Sequence, residues 1–201
     1  KGVSLARVER SGLVLPKKDG RGYYDRFRER IIFPIIDVNQ AVIGFGGRVM
    51  DDALPKYLNS PETSVYSKSR SLYGLHLSKD KCRKAQTVYI VEGYLDLLML
   101  HQHGIENAVA TLGTALTADH VRMLSRYVPR MILVYDSDEA GIRSALRCID
   151  TFWKEHVDFS RGDVFREEKA DTHILVLPDG HDPDSYLREK GVAPFEKAAS
   201  H

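Results

Sequence analysis

The sequence predicts an α/β protein: a mostly parallel sheet flanked by helices, preceded by a smaller, basic, mixed α+β segment. Three observations predict it. Short strand-like runs at 88–91, 131–135 and 173–177 each end abruptly in carboxylates and turn residues. Helical apolar spacing follows the first two, and such strand–helix repetition argues for parallel strands with helices on the sheet faces. The charge also divides: residues 1–90 hold 17 Lys+Arg against 9 Asp+Glu, giving +8, while residues 91–201 hold 12 against 19, giving −7. A basic half beside an acidic half suits a protein that holds a polyanion with one part and cations with the other, although uneven surface charge alone would look similar.

The 201 residues, 43% of them hydrophobic, can bury the core of one or two domains. The expected division is a basic N-terminal part at 1–85 and an acidic α/β domain at 86–201. No apolar stretch approaches the roughly 20 residues that span a bilayer, and no basic-then-apolar leader opens the chain. The cytoplasm is the expected compartment, without a membrane partner. Cys82 and Cys148 are the only cysteines, too few and too far apart for a disulfide framework or a paired-cysteine zinc site, so both read as buried thiols and no zinc is expected. The chain opens at Lys1 in what reads as mid-segment, so a fragment of a longer protein is expected.

Along the chain, Pro16-Lys17-Lys18-Asp19-Gly20 marks a turn. Arg26, Arg28 and Arg30 alternate with Phe27 and Glu29, and if that stretch is extended the three arginines share one face. Residues 31–37 and 41–50 read as an antiparallel hairpin turning at Val38-Asn39-Gln40. Gly44, Gly46 and Gly47 in its second strand mark a bulge or a close backbone approach, and Arg48 is a further candidate for phosphate contact. The polar, turn-rich segment at 54–63 offers Lys56 for phosphates, with Tyr57 and Asn59 for stacking or hydrogen bonds, and Lys68 follows. A plain surface loop would carry similar residues.

From residue 87 the alternation of strand and helix begins. A leucine-rich helix is expected at 95–103, a strand at 108–111, and a helix capped by Thr117 that runs towards Pro129. After the strand at 131–135, Ile142, Ala145, Leu146, Ile149, Phe152 and Trp153 fall at helical spacing and read as a core stripe. A charged insertion at 158–169 precedes the last strand at 172–177, and residues 191–201 read as an unfinished helix.

In an open parallel α/β sheet, ligands bind outside the carboxyl ends of the strands. Glu92, Asp96, Asp136, Asp138, Asp182 and Asp184 all fall just beyond such ends. Asp138 or Asp184 alone would read equally well as a helix cap. Six carboxylates converging on one crevice would repel strongly, and divalent cations are the natural compensation. Oxygen-only ligation points to Mg²⁺ or Mn²⁺, two or more, and two such ions suit phosphoryl transfer. His181 reads as a solvated or structural loop residue.

The motifs Glu92-Gly93-Tyr94-Leu95-Asp96, Leu112-Gly113-Thr114-Ala115 and Asp136-Ser137-Asp138-Glu139-Ala140-Gly141 resemble the Toprim domain of primases and topoisomerases. The stretches Asp25-Arg26-Phe27-Arg28-Glu29-Arg30, Ile43-Gly44-Phe45-Gly46-Gly47-Arg48, Pro55-Lys56-Tyr57-Leu58-Asn59-Ser60-Pro61-Glu62-Thr63 and Pro178-Asp179-Gly180-His181-Asp182-Pro183-Asp184 resemble the catalytic core of bacterial DNA primases of the DnaG type. That resemblance implies a DNA-directed RNA polymerase making short primers on single-stranded DNA from ribonucleoside triphosphates during replication. It implies a metal centre at Glu92, Asp136, Asp138, Asp182 and Asp184, with Asp96 close by. Arg26, Arg28, Lys56 and Lys68 would line the groove for nucleotide or template, with Tyr57 and Asn59 beside them. The family's zinc-ribbon and its helicase-binding domain, through which the replicative helicase would be met, have no counterpart in these residues. Alternatives are a non-catalytic single-strand-binding module on the same fold, and a Toprim topoisomerase or nuclease. A phosphatase built on Asp136 and Asp138 would want Ser or Thr soon after the second aspartate, where Glu139-Ala140-Gly141 stands instead.

Overall fold

The computed structural model describes residues 2–136, 142, 146, 171–178 and 180–200. The chain forms two compact units, Lys1–Lys68 and Ser69–His201.

In the first unit a short helix, α1 (Leu5–Arg10), leads into a two-stranded hairpin of β1 (Val14–Pro16) and β2 (Tyr23–Asp25). The turn expected at Pro16–Gly20 joins them, closed by Lys17 N–H donating to the Gly22 carbonyl at 3.0 Å. Three antiparallel strands follow in the order β3 (Arg30–Ile36), β4 (Val42–Val49), β5 (Tyr57–Asn59). The β3–β4 turn is held by Asp37, whose Oδ1 accepts from the backbone of Asn39 and of Ala41, each at 2.9 Å.

The glycines of β4 behave as their positions suggest. The register slips between Ile35 and Ile36, and a Cβ on Gly47 would meet Phe27 at 2.9 Å and Arg30 at 3.0 Å. Two expectations need correction here. Residues 26–30 are not one extended strand, because Glu29 adopts a left-handed φ of 53° and only Arg30 enters β3, so Arg26, Arg28 and Arg30 share no strand face. The segment at 54–63 is also more than a loop. Its centre is β5, which completes the sheet by pairing with Gly46, Gly47 and Arg48.

The second unit is built on a four-stranded parallel sheet of order β7-β6-β8-β9, with β6 (Thr87–Val91), β7 (Ala108–Ala110), β8 (Arg130–Tyr135) and β9 (Asp171–Val176). The strands β6, β7 and β8 are buried almost throughout, as strands covered on both faces must be. One face, carrying Tyr89, Val91, Ile132, Val134 and Leu175, joins a single apolar cluster with Leu97 and Leu100 of α3 (Tyr94–Gln102), Tyr186 and Leu187 of α5 (Pro183–Lys190), and Phe195 of α6 (Val192–Ala198). The helix between β7 and β8, α4 (Ala118–Leu124), starts where expected: Thr117 accepts from His120 N–H at 3.2 Å, and the buried His120 ring returns the contact to Thr117 N–H at 3.3 Å.

Helix α2 (Leu75–Ala85) packs on β6 and β7, and Tyr73 exchanges backbone hydrogen bonds with Ala110. These contacts are why the units part after Lys68. Gly74 opens α2 with φ 84°, and a Cβ there would lie 2.4 Å from Leu97, so only glycine fits. Cys82 is fully buried and its thiol is pushed up to about 12 by that burial, as an inert core residue would be. Of the stripe expected to be core at 142–153, Ile142 and Leu146 are described and are 44% and 57% exposed, so these two are not core; the others, like Cys148 and the insertion at 158–169, lie outside the described residues. Among the described residues no helix is long and apolar enough to cross a membrane.

Candidate functional site

Parallel register puts the ends of three strands together. Ile90 pairs with Leu133 and Tyr135 with Val176, so Glu92, Asp136 and the loop leading to Asp182 all leave the same edge of the sheet. Glu92 follows β6 directly. Its carboxylate is exposed and makes no hydrogen bond or ion pair within the described residues, while its backbone carbonyl accepts from Gly113 N–H at 3.4 Å. Asp136 is half-buried at the end of β8. Asp138 lies outside the described residues.

Asp96 stands one turn into α3 and accepts from Gly93 N–H at 3.0 Å, which ties the helix start to the turn after Glu92. Helix α3 packs on α5, and this brings Asp96 into the field of the second acidic pair. Burial holds the Asp96 carboxyl above the ordinary aspartate range; the Gly93 hydrogen bond opposes that rise, and Asp182, Glu92 and Asp184 add to it. Asp182 is the N-cap of α5, accepting from Ser185 N–H at 2.7 Å, and that bond holds its carboxyl below the usual range despite some desolvation. Arg188 Nε lies 2.7 Å from Asp184 Oδ1, yet not in line for a hydrogen bond. His181 is structural: it contacts Ser185 at 3.2 Å and meets Tyr186 edge-on.

All these groups are hard oxygen donors of one sign, and Asp96, raised mainly by burial, is also raised by Asp182, Glu92 and Asp184, so the set fits divalent cations by its chemistry. Among the described residues no three His, Cys, Asp or Glu side chains gather closely enough to enclose one ion.

Because the folded Asp96 carboxyl keeps its proton more firmly than the unfolded one, the native state loses stability as pH rises from the unfolded value through the raised folded value. Asp96→Asn keeps an acceptor for Gly93 and removes the charge. In metal-free buffer at neutral pH the variant is expected to melt above the parent. Melts from pH 4 to 8 check this, and a gap that fails to shrink toward about pH 4 would refute the charge origin.

A cavity of about 190 Å³ opens at the same sheet edge, lined by Ile90, Val91, Glu92, Thr111, Gly113, Thr114, Ala115, Leu116 and Tyr135. Its rim, Leu112-Gly113, runs through two left-handed residues, and Leu112 at φ 63° is strained for a bulky side chain yet 2% exposed. Thr111 and Thr114 belong to the strand end at 108–111 and to the Leu112–Ala115 motif, and neither is among the site residues that the sequence predicts. An apolar strand ending in Thr-Leu-Gly-Thr was the available signal.

The basic candidates belong to the first unit and divide by what they touch. Arg26 donates through Nε and Nη2 to the Asn59 carbonyl at 3.3 and 3.2 Å, and Arg30 donates to the Lys56 carbonyl at 3.3 Å, so both clamp β5. Arg48 pairs with Tyr57 across β4 and β5, with its guanidinium 5.5 Å from the ring centroid. Arg28 covers Tyr24 at 4.9 Å. Lys56 is exposed, and Lys68 is half-buried with its backbone N–H held by Glu62 at 2.9 Å.

Residues 1–79 match the family described as the DNA primase catalytic core, N-terminal domain, and residues 86–162 match the Toprim domain. The chain is 44% identical to the DNA primase of Clostridium acetobutylicum over 97% of its own length. The chain belongs to the DnaG-type DNA primases. A crystal structure of a DNA primase domain from Pseudomonas aeruginosa superposes with a TM-score of 0.85 at 40% identity, covering 98% of this chain and 58% of that one. A DnaG primase catalytic domain bound to single-stranded DNA superposes at 0.82, with 40% identity and coverage of 97% and 59%. The chain spans 30% of the length of the Clostridium primase, so it corresponds to one portion of a longer protein in that family.

Proposed function

We propose that this chain is part of the polymerase core of a primase, a DNA-directed RNA polymerase that makes short RNA primers on single-stranded DNA during replication in the cytoplasm. Its substrates are ribonucleoside triphosphates, and a replicative helicase is met through another domain. The observation that carries this reading is one chain matching the primase-specific N-terminal core over 1–79 and a Toprim sheet whose strand ends bear Glu92 and Asp136. The sheet alone would suit a topoisomerase equally, and the first match separates them. On this reading residues 1–85 form the basic part and residues 86–201 the catalytic part.

Divalent metal ions are the cofactor of such a core, and Glu92, Asp136, Asp138, Asp182 and Asp184 are the groups that would hold Mg²⁺ or Mn²⁺, two or more. When bound, such ions neutralise a triphosphate and lower the pKa of an attacking hydroxyl. The protein's own part is positional. Glu92 and Asp136 project from neighbouring strand ends, Asp182 caps α5 and so aims Asp184, and Asp96 pins the turn after Glu92 through Gly93. In the basic part, Arg28, Lys56 and Lys68 neutralise phosphates without reading sequence, and the Arg48–Tyr57 pair offers a stacking platform, with Arg26 and Asn59 fixing β5 beneath it.

The test is incubation of the chain with single-stranded template, ribonucleoside triphosphates and Mg²⁺ or Mn²⁺. Metal-dependent RNA product supports the proposal, whereas strand binding with no product in either metal favours a non-catalytic module. Lys56→Ala is expected to weaken strand binding and to lower the salt slope by about one. A slope equal to the parent's would remove Lys56 from the interface.

A further inference from the structure

The cavity beside Glu92 is lined by a residue whose hydroxyl is not engaged within the described residues. Thr111 sits immediately beyond β7, where its backbone N–H donates to the Val91 carbonyl at 3.1 Å, and the residue is only 4% exposed. Thr111 lines the cavity, and its hydroxyl makes no hydrogen bond within the described residues. That hydroxyl is not among the fully enclosed unpartnered side-chain atoms of the described residues, so it opens onto the cavity, where an incoming ligand atom can pair with it.

The lining decides the ligand's chemistry. At about 190 Å³ the cavity is smaller than the ~300–1,000 Å³ that enclose a whole drug-sized molecule, so it takes one piece of a larger ligand. A phosphate is disfavoured, because Glu92 stands at the rim and no Lys or Arg is among the described lining residues. What the walls offer is a mixed set: apolar surface from Ile90 and Leu116, hydroxyls from Thr111 and Thr114, a carboxylate acceptor from Glu92, and the Tyr135 side. Apolar walls with scattered hydroxyl donors and acceptors suit a furanose ring, whose C–H faces are apolar and whose hydroxyls both donate and accept.

We infer that this cavity seats the ribose of a bound nucleotide and that the Thr111 hydroxyl binds one of its sugar hydroxyls, making Thr111 a residue that selects ribonucleotides. The inference rests on the primase reading and names the part of the substrate recognised at the sheet edge. Rejection of a deoxy sugar would then follow from leaving Thr111 unpaired again, at the cost of the lost bond.

The experiment measures equilibrium binding of ATP, 2′-deoxy-ATP and 3′-deoxy-ATP, with Mg²⁺, to the chain and to its Thr111→Val and Thr111→Ser variants. Valine matches threonine in shape and removes only the hydroxyl, and a melting curve for each variant checks folding. The parent is expected to favour ATP about five- to tenfold over one of the deoxy analogues, the scale of one hydrogen bond. Thr111→Val should bring that ratio to about one by weakening ATP alone, and Thr111→Ser, the conservative replacement, should restore it. Equal preference in the parent and the valine variant overturns the inference while nucleotide binding stands. Equal affinity of the parent for all three nucleotides does the same. No binding of any nucleotide overturns both the inference and the reading on which it rests.

Discussion

Glu92→Gln is expected to lower metal-dependent ribonucleotide incorporation by about 10²–10³-fold, the loss seen when one group that stabilises transition-state charge is removed. The melting temperature should scarcely move. The side chain is exposed and makes no bond within the described residues, and the local structural task falls to its backbone, which accepts from Gly113 and is unaltered by the change. Exposed substitutions of this kind stay within about ±0.5 kcal/mol. Glutamine keeps the shape at the cavity rim and removes the charge, so the assay separates charge from packing. Synthesis at the parental rate by a folded variant would remove Glu92 from the catalytic role.

Phe195→Ala is expected to cost about 3–5 kcal/mol of stability, as large-to-small changes of fully buried aromatics do. For a unit of this size that corresponds to a melting temperature roughly 6–20 °C lower. Phe195 is 0% exposed, and its ring lies 5.3 Å from that of Tyr89 on β6 and 6.3 Å from that of Tyr186 on α5. It therefore pins α6 and α5 to the central strand, and α5 carries Asp184 and is capped by Asp182. The Toprim match ends at residue 162, yet this clamp lies some thirty residues beyond it. The variant should also lose activity beyond its loss of folded protein, because the second acidic pair is no longer held. Thermal or denaturant unfolding measures the first effect, and incorporation per folded molecule measures the second. A loss below about 1 kcal/mol would show that α6 is not part of the core.

The strands and the carboxylates at their ends were legible in the sequence because both depend on local patterns. Residues 87–91, 108–110 and 130–135 are short apolar runs bounded by turn residues, and Thr117 precedes its helix as an N-cap should. The hairpin at 30–49 was legible for the same reason. Other elements were hidden by weak local signals. Helix α2 buries only Leu75, Ser78 and Cys82, a thin stripe within a lysine-rich stretch. Helix α5 announces itself by Asp182-Pro183, an N-cap followed by proline at the first helical position, and that signal was readable although the acidic pair drew the reading elsewhere. Strand β5 has three residues, and only its partners in β4 make it a strand.

By itself, the sequence determined the fold class, the order of the parallel strands along the chain, and which acidic residues leave strand ends, since hydrophobic period and turn chemistry are properties of neighbouring residues. Only the tertiary structure decided what those residues face. It placed Asp96 beside Asp182 and Asp184 by packing α3 on α5, engaged Arg26 in holding β5, and left the Thr111 hydroxyl without a hydrogen bond among the described residues, at a cavity beside Glu92. Each depends on contacts between segments far apart in the chain, and burial, electrostatic field and hydrogen-bond satisfaction are set by those contacts rather than by sequence neighbours.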